Sequence, residues 1–426
     1  MKRKYLLGVL AVTLYLSACS LNDSNVDNML REFETIDLDI SKEWDGINYS
    51  SYSSDYGESA QGFYYYDALK NTMMYISKDV DKAIPLCTKV ECVHGAEIIE
   101  KRIKFPEYTV DCNAVYEGNT GIQIYNGKLY ADISKEAGIS RAIICAELDG
   151  TNRSEVVENI AVRIEEEQTL PDKTGEVFMA SVKWFIADDM IYTVKEVHVE
   201  DGTKILGRVY VDVYDLSTGE ISKELFYKEY EVEDLIPSYL YVDAEHIYIA
   251  MHMYVGEEME SSIQFMELDK NTGECKEINF GKDRNYKGYI YADDKIIFGK
   301  EEGDVYTLDI DGSEQMCIEL EEDEKKIGMF YKKEGNYILL TIREAVKLAD
   351  GSMGYYSKIY DEKYNYLDTV YHTEDITTIA GGTNELLFKN SMDDKFYLLD
   401  VDDIGTGNIE LVEVEMPKVK KSKSNK

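Results

Sequence analysis

Ile122-Gln-Ile-Tyr-Asn126-Gly127-Lys-Leu-Tyr130, followed by Ile143-Ile-Cys-Ala-Glu-Leu148-Asp149-Gly150, is the stretch from which the fold is read. A short apolar strand runs into Asn-Gly, the strongest local signal for a two-residue hairpin, and a second strand follows that ends in an aromatic. A later strand carries Leu-Asp and stops at a Gly turn. The same order returns along the chain. Trp184-Phe-Ile-Ala-Asp188-Asp189-Met-Ile-Tyr192 leads to Val209-Tyr-Val-Asp-Val-Tyr214-Asp215 and Thr218-Gly219. Tyr239-Leu-Tyr-Val-Asp243 through Tyr248 leads to Phe265-Met-Glu-Leu268-Asp269 and Thr272-Gly273. Tyr289-Ile-Tyr-Ala-Asp293-Asp294 through Phe298 leads to Val305-Tyr-Thr-Leu308-Asp309 and Gly312. Weaker copies run from Met329 to Asp361 and from Ile379 to Asp400, and Gly62–Tyr66 with Met73–Ile76 implies a first unit.

Seven such units fill about 61–416 at roughly 50 residues each, close to the ~40–50 of propeller blades. Four antiparallel strands joined by tight turns cannot bury both faces alone, so neighbouring units must stack. The expected fold is all-β: a β-propeller of seven four-stranded blades over 32–416. A two-domain β-sandwich would not repeat one unit throughout. Phe33-Glu-Thr-Ile36-Asp-Leu38-Asp-Ile40 alternates like a strand and precedes the first unit. Its pairing with Ile409-Glu-Leu-Val412-Glu-Val414 is the expected ring closure, removing two open edges.

The composition fits a packed domain. Of 426 residues, 44% are hydrophobic and 35 are Tyr, whose rings pack between sheets while their hydroxyls reach water at the edges. The formal charge is −37. Phosphate would be repelled by such a surface, which excludes nucleic-acid binding through general electrostatics. The acidic runs Glu165–Glu167, Glu229–Asp234 and Glu319–Glu324 read as solvated loops. The C-terminal stretch 417–426, with Lys418, Lys420, Lys421, Lys423 and Lys426, reads as a basic disordered tail.

The N-terminus carries an address. Lys2, Arg3 and Lys4 precede the mostly apolar run Tyr5–Leu16. As a helix that run covers roughly 18 Å, too short for the ~30 Å hydrocarbon core. Residues 1–18 therefore read as a signal peptide. Leu16-Ser-Ala-Cys19 resembles a bacterial lipobox, a resemblance that implies lipid modification of Cys19. Polar residues 19–31 would then be a tether, with the chain held by lipid at the extracytoplasmic face of the cell membrane.

Seven Cys occur, and Cys145, Cys275 and Cys317 lie singly in strand-like patches, where buried free thiols are expected. Three others cluster in the loop 85–114, as Cys87-x4-Cys92-x-His94-x17-Cys112. Three thiolates and an imidazole suit a tetrahedral structural zinc site. A disulfide of Cys112 with Cys92 or Cys87 suits an export compartment equally, leaving one odd thiol. Both readings stand at this point. Leu86-Cys87-x4-Cys92-x-His94 with Cys112-Asn-Ala, behind a lipobox and ahead of Tyr-rich repeats, resembles a group of uncharacterised lipoproteins of anaerobic Firmicutes. The resemblance implies the same compartment and fold and brings no activity. Here the 17 residues from Gly95 to Asp111 make the loop longer than in that group.

Nucleophile-elbow, metalloprotease, P-loop and dinucleotide-binding motifs are all missing. His198, His246, His252 and His372 are scattered through strand-like regions. Asp309-Ile-Asp311-Gly312 and Asp400-Val-Asp402-Asp403-Ile-Gly405 lack the closing Glu of a calcium loop, and turn chemistry accounts for them. The expected function is a non-catalytic binding or interaction module for a protein or envelope glycan. The alternatives are a polysaccharide-active hydrolase or lyase and a metal- or redox-responsive surface sensor.

Overall fold

Strict alternation in the repeats means that each strand offers its two faces to two different neighbours, and the structure is built on that. The computed structural model describes residues 56–416 except 69–70, 90–91, 93–111, 119–120, 136–139, 162–175, 202–203, 232–233, 256–259, 281–285, 293–294, 301–303, 310, 321–325, 333–336, 349–350, 362, 373–375, 382–383 and 391–394. Its strands form seven sheets of four, each antiparallel and in sequence order. The blades span 56–85, 122–157, 176–231, 234–280, 286–318, 326–372 and 376–413. A seven-bladed β-propeller is therefore the fold. Among the described residues no helix is long and apolar enough to cross a membrane.

Seven apolar clusters each join one blade to the next. In blade one, Tyr64 and Tyr75 pack towards blade two, while Phe63, Tyr65 and Ile76 pack towards blade seven. In blade seven, Leu386 and Phe388 pack towards blade six and Leu387 towards blade one. The period-2 pattern thus makes each blade the lid of both neighbours. Every such buried side chain contributes about 1.5–3 kcal/mol.

The turns at one face, here the lower face, join first to second and third to fourth strands. Asn126 and Gly127 take φ of 48° and 67°, and Asp188 and Asp189 take 51° and 57°, the left-handed pair that a type I′ hairpin requires. These turns also meet across blades. Asp189 Oδ1 accepts from Tyr125 Oη at 3.1 Å and from Asn126 Nδ2 at 3.2 Å. Asp188 Oδ2 accepts from Lys270 Nζ at 2.7 Å. At the Asp-x-x-Thr-Gly turns, Asp215 is held below the usual carboxylate range, first by the Ser217 hydroxyl and then by the Thr218 and Ser217 amides. Asp269 is lowered in the same way, led by the Thr272 amide.

Ring closure by residues 33–40 is not shown, and what the described residues do show is a join between the first and last blades. Among the described residues blade seven has four strands, all from 376–413, and Val412–Glu413 pairs with Tyr397 and Leu398. The join to blade one is a parallel bridge between Lys82 and Glu415, with Ala83 N donating to Glu415 O at 3.0 Å. Beside it lies the cluster of Phe63, Tyr65, Met74, Leu387, Phe396, Leu398 and Val414. Residues 33–40, the expected closing strand, lie outside the described residues. Blade one has its own first strand, Tyr56–Ser59. That strand escaped the repeat pattern because Tyr-Gly-Glu-Ser lacks an apolar alternation, and Gly57 is there to let Ile122 approach.

Candidate metal centre

The last strand of blade one, Lys82–Pro85, runs straight into Leu86 and Cys87. Leu86 N donates to Met73 O at 2.9 Å, and Cys87 N to Pro85 O at 2.7 Å. The chain comes back to the same place at Cys112. Met73 N donates to Ala114 O at 2.7 Å, Tyr116 N donates to Asn71 O at 3.1 Å, and Thr72 bridges Val115. Blade two grips the returning segment from its other side. Arg153 donates to Val115 O at 2.8 Å and Asn113 O at 2.5 Å, with its guanidinium 4.1 Å above the Tyr116 ring. Arg141 donates to Gly118 O at 2.9 Å and pairs with the buried carboxylate of Asp132.

Departure and return at one point bring three thiols together. The Sγ atoms of Cys87, Cys92 and Cys112 all lie within 4.8 Å of one another. Cys87 and Cys112 are buried in the core between blades one and two, and Cys92 is half-buried against it. None of the three is in a disulfide. A tetrahedral zinc with Zn–S bonds of ~2.3 Å holds its sulfurs ~3.8 Å apart, so a modest contraction would seat one. The triad could hold a metal such as zinc.

Two of the three thiols are held in their neutral form by their surroundings. Burial pushes the Cys92 thiol up to about 11. A hydrogen bond with Cys87 and then burial push Cys112 far above the usual thiol range. Cys92 and Cys112 are therefore neutral thiols without a cation, and a divalent ion would reverse that preference by holding the thiolates directly.

His94 and Cys19 lie outside the described residues, so the structure brings together Cys87, Cys92 and Cys112 from the sequence-derived set. Sequence reasoning missed Arg141, Arg153 and Tyr116, which fix the return segment; the apolar Val115-Tyr116 pair after Cys112-Asn-Ala was the available signal. Cys145, Cys275 and Cys317 are free as expected, but half-buried rather than buried. Aspartates of the calcium-like stretches are occupied by their own turns. Asp311 Oδ1 accepts from Ser313 N at 2.8 Å, and Asp400 Oδ1 from Asp402 N at 2.8 Å. Two of the scattered histidines have structural partners: His198 Nε2 accepts from Leu235 N at 3.0 Å, and His372 Nε2 lies 3.0 Å from Ser357 Oγ.

No protein-family model and no curated protein matches the chain. Among solved structures it is similar to the computationally designed Ika8 protein at 11% identity and a TM-score of 0.42, over 88% of this chain and 94% of that one. It is similar to Sqt1 of Saccharomyces cerevisiae at 9% identity and a TM-score of 0.41, over 94% and 90% of the two chains. An oligogalacturonate lyase in complex with manganese is similar at 13% identity and a TM-score of 0.41, over 67% and 73%. Likenesses this distant carry no functional argument. On its own geometry the chain is a seven-bladed β-propeller with a three-thiol centre between its first two blades.

Proposed function

We propose that the chain is exported, lipidated at Cys19 and held at the extracytoplasmic face of a membrane, where the propeller is a non-catalytic binding module for a protein or envelope glycan. The observation that carries the binding role is the uneven upper face, where blade-to-blade connections and second-to-third-strand turns lie. The second and third strands of blade three, Met190–Asp201 and Lys204–Asp215, have 12 residues each, against 8 in blade two. With the lower turns of blades two and three tied together by Tyr125, Asn126 and Asp189, the excess rises upward by about 13 Å. The corresponding strands of blade four, His246–Val255 and Glu260–Asp269, have 10 residues, against 6 and 5 in blade five. The second strand of blade six, Tyr337–Lys347, has 11 residues, so the adjacent blades three and four, with blade six, stand above blades two and five as a raised rim. Such a rim offers a partner contact surface without needing a catalytic group. Zinc, bound by Cys87, Cys92 and Cys112 with His94 as fourth ligand, is the structural cofactor in this reading.

Two measurements test it. Metabolic labelling with a fatty-acid analogue should mark the wild-type chain in the membrane fraction and leave Cys19→Ser unmarked and released. The soluble chain should retain envelope polysaccharide or a defined surface protein on an affinity support without altering it. New reducing ends or unsaturated sugar products on incubation with the polysaccharide would make it an enzyme and overturn the reading.

A further inference from the structure

The three thiols differ in reach. Cys87 and Cys112 are 4% and 6% exposed, while Cys92 is the half-buried member that solvent meets. Each sulfur lies within 4.8 Å of both others, so any one can find a partner with little movement. Their number is odd, so a disulfide among them always leaves one thiol over. A metal uses all three, and the two states exclude each other.

We propose that Cys92 is an oxidation site and Cys112 its resolving thiol, so that a peroxide-class oxidant converts the metal-bound triad into a Cys92–Cys112 disulfide with release of the metal. The proposal rests on the zinc reading above. Coordination keeps the sulfurs as thiolates, the nucleophilic form. The Cys92 thiolate attacks one oxygen of hydrogen peroxide. The O–O bond breaks, an S–O bond forms and hydroxide leaves, giving Cys92 sulfenic acid. The Cys112 thiolate then attacks that sulfur, the S–O bond breaks, and the departing hydroxide takes up a proton as water. Two electrons have passed from two sulfurs to one peroxide, and one further proton converts the first hydroxide into the second water. With one thiolate left, zinc has lost two of its protein sulfurs and dissociates. Cys112, not Cys87, is the resolving partner for a geometric reason. Cys87 and Cys92 leave on the same short segment, with Cys87 N tied to Pro85 O and Cys92 N to Lys89 O. Cys112 reaches them from the returning segment, which the blade-two arginines fix at Asn113, Val115 and Gly118.

Consequently the site is a clamp that oxidants open and reductants reset. Its setting is the seam where the last strand of blade one meets blade two, so the change is delivered to that seam.

The test uses the full soluble chain, reduced and loaded with zinc. Hydrogen peroxide is titrated while a chromophoric chelator reports free zinc and peptide mapping reports disulfides. One zinc should be released per Cys92–Cys112 disulfide, Cys87 should remain open to alkylation, and a dithiol reductant should restore zinc binding. Cys92→Ser should form no disulfide at this site. Zinc retained at several equivalents of peroxide overturns the switch and leaves the zinc reading intact, and so does a Cys87–Cys112 disulfide in Cys92→Ser. A reduced chain that binds no zinc overturns both.

Discussion

Gln123, in the innermost strand of blade two, forms a two-point clamp on Ile186 in blade three. Its Nε2 donates to Ile186 O at 2.9 Å and its Oε1 accepts from Ile186 N at 2.7 Å. The side chain is 2% exposed, so it replaces a strand-to-strand pair where two blades meet at the channel.

Gln123→Leu fills the same volume but leaves a buried N–H and a buried C=O without partners. The expected loss is about 2–4 kcal/mol, read as a lower urea midpoint. Gln123→Glu keeps the acceptor and loses the donor, so its loss should be of similar size at neutral pH. Wild-type stability in both variants would mean that the clamp is ornamental.

Gly219 docks blade three onto blade two. Its φ is +73°, and a Cβ there would lie 2.0 Å from Val156 O. Gly219→Ala therefore meets both left-handed strain, about 1–2 kcal/mol, and a backbone collision that forces the blades apart. Gly312 is the control, with φ of +87° and nothing within 4 Å of its Cβ. Gly312→Ala should cost only the strain, and thermal melts should rank the two variants in that order.

Glu385 sits where blade seven meets blade one, and burial first of all pushes its carboxyl up to about 7. Asp81, Asp400 and Glu58 add to the rise, and the Lys78 ammonium opposes it. In the unfolded chain a Glu titrates near 4.3. Between those values the folded protein keeps a proton that the unfolded chain has lost. The stabilisation is complete below about pH 4.3 and falls away as pH rises through about 7. Glu385→Gln has no such step. Solvent screening at this half-exposed site limits the effect to about 1 kcal/mol. Urea midpoints at pH 5 and pH 8 should show wild type losing ground against the variant, and parallel curves would refute it.

Lys195 Nζ lies 2.7 Å from Asp212 Oδ2 and 2.6 Å from Tyr214 Oη, and Lys195 and Asp212 are 5% and 8% exposed. Lys195→Met strands a buried carboxylate and should cost about 3–5 kcal/mol. Adding Asp212→Leu should recover most of that loss. A double variant no better than the single one would show that packing, and not the unpaired charge, sets the cost.

The architecture was legible because its causes are local. Asn126-Gly127 selects a type I′ hairpin by itself, and Tyr64 beside Phe63 and Tyr65 declares a strand with two buried faces. Asp215 and Thr218-Gly219 close their turn with their own hydrogen bonds. Signals of this kind, strong in four units and weaker in the other three, pointed to a ring of sheets. The thiol site was half legible, since Cys87, Cys92 and Cys112 were marked by number and neighbourhood while their distances were not.

What only the tertiary structure decided is everything that depends on one blade meeting another. Glu415 joins Lys82 across more than three hundred residues of sequence, and no local pattern names that partner. Tyr56–Ser59 is a strand because blade two and blade seven flank it. Gln123 looks like an ordinary polar position until Ile186 lies opposite. The sequence by itself determined the repeated blade, through alternation and turn chemistry. The closure of the ring, the convergence of three thiols and the raised carboxyl of Glu385 came from long-range packing, which sets burial and distance and has no counterpart in nearest-neighbour sequence.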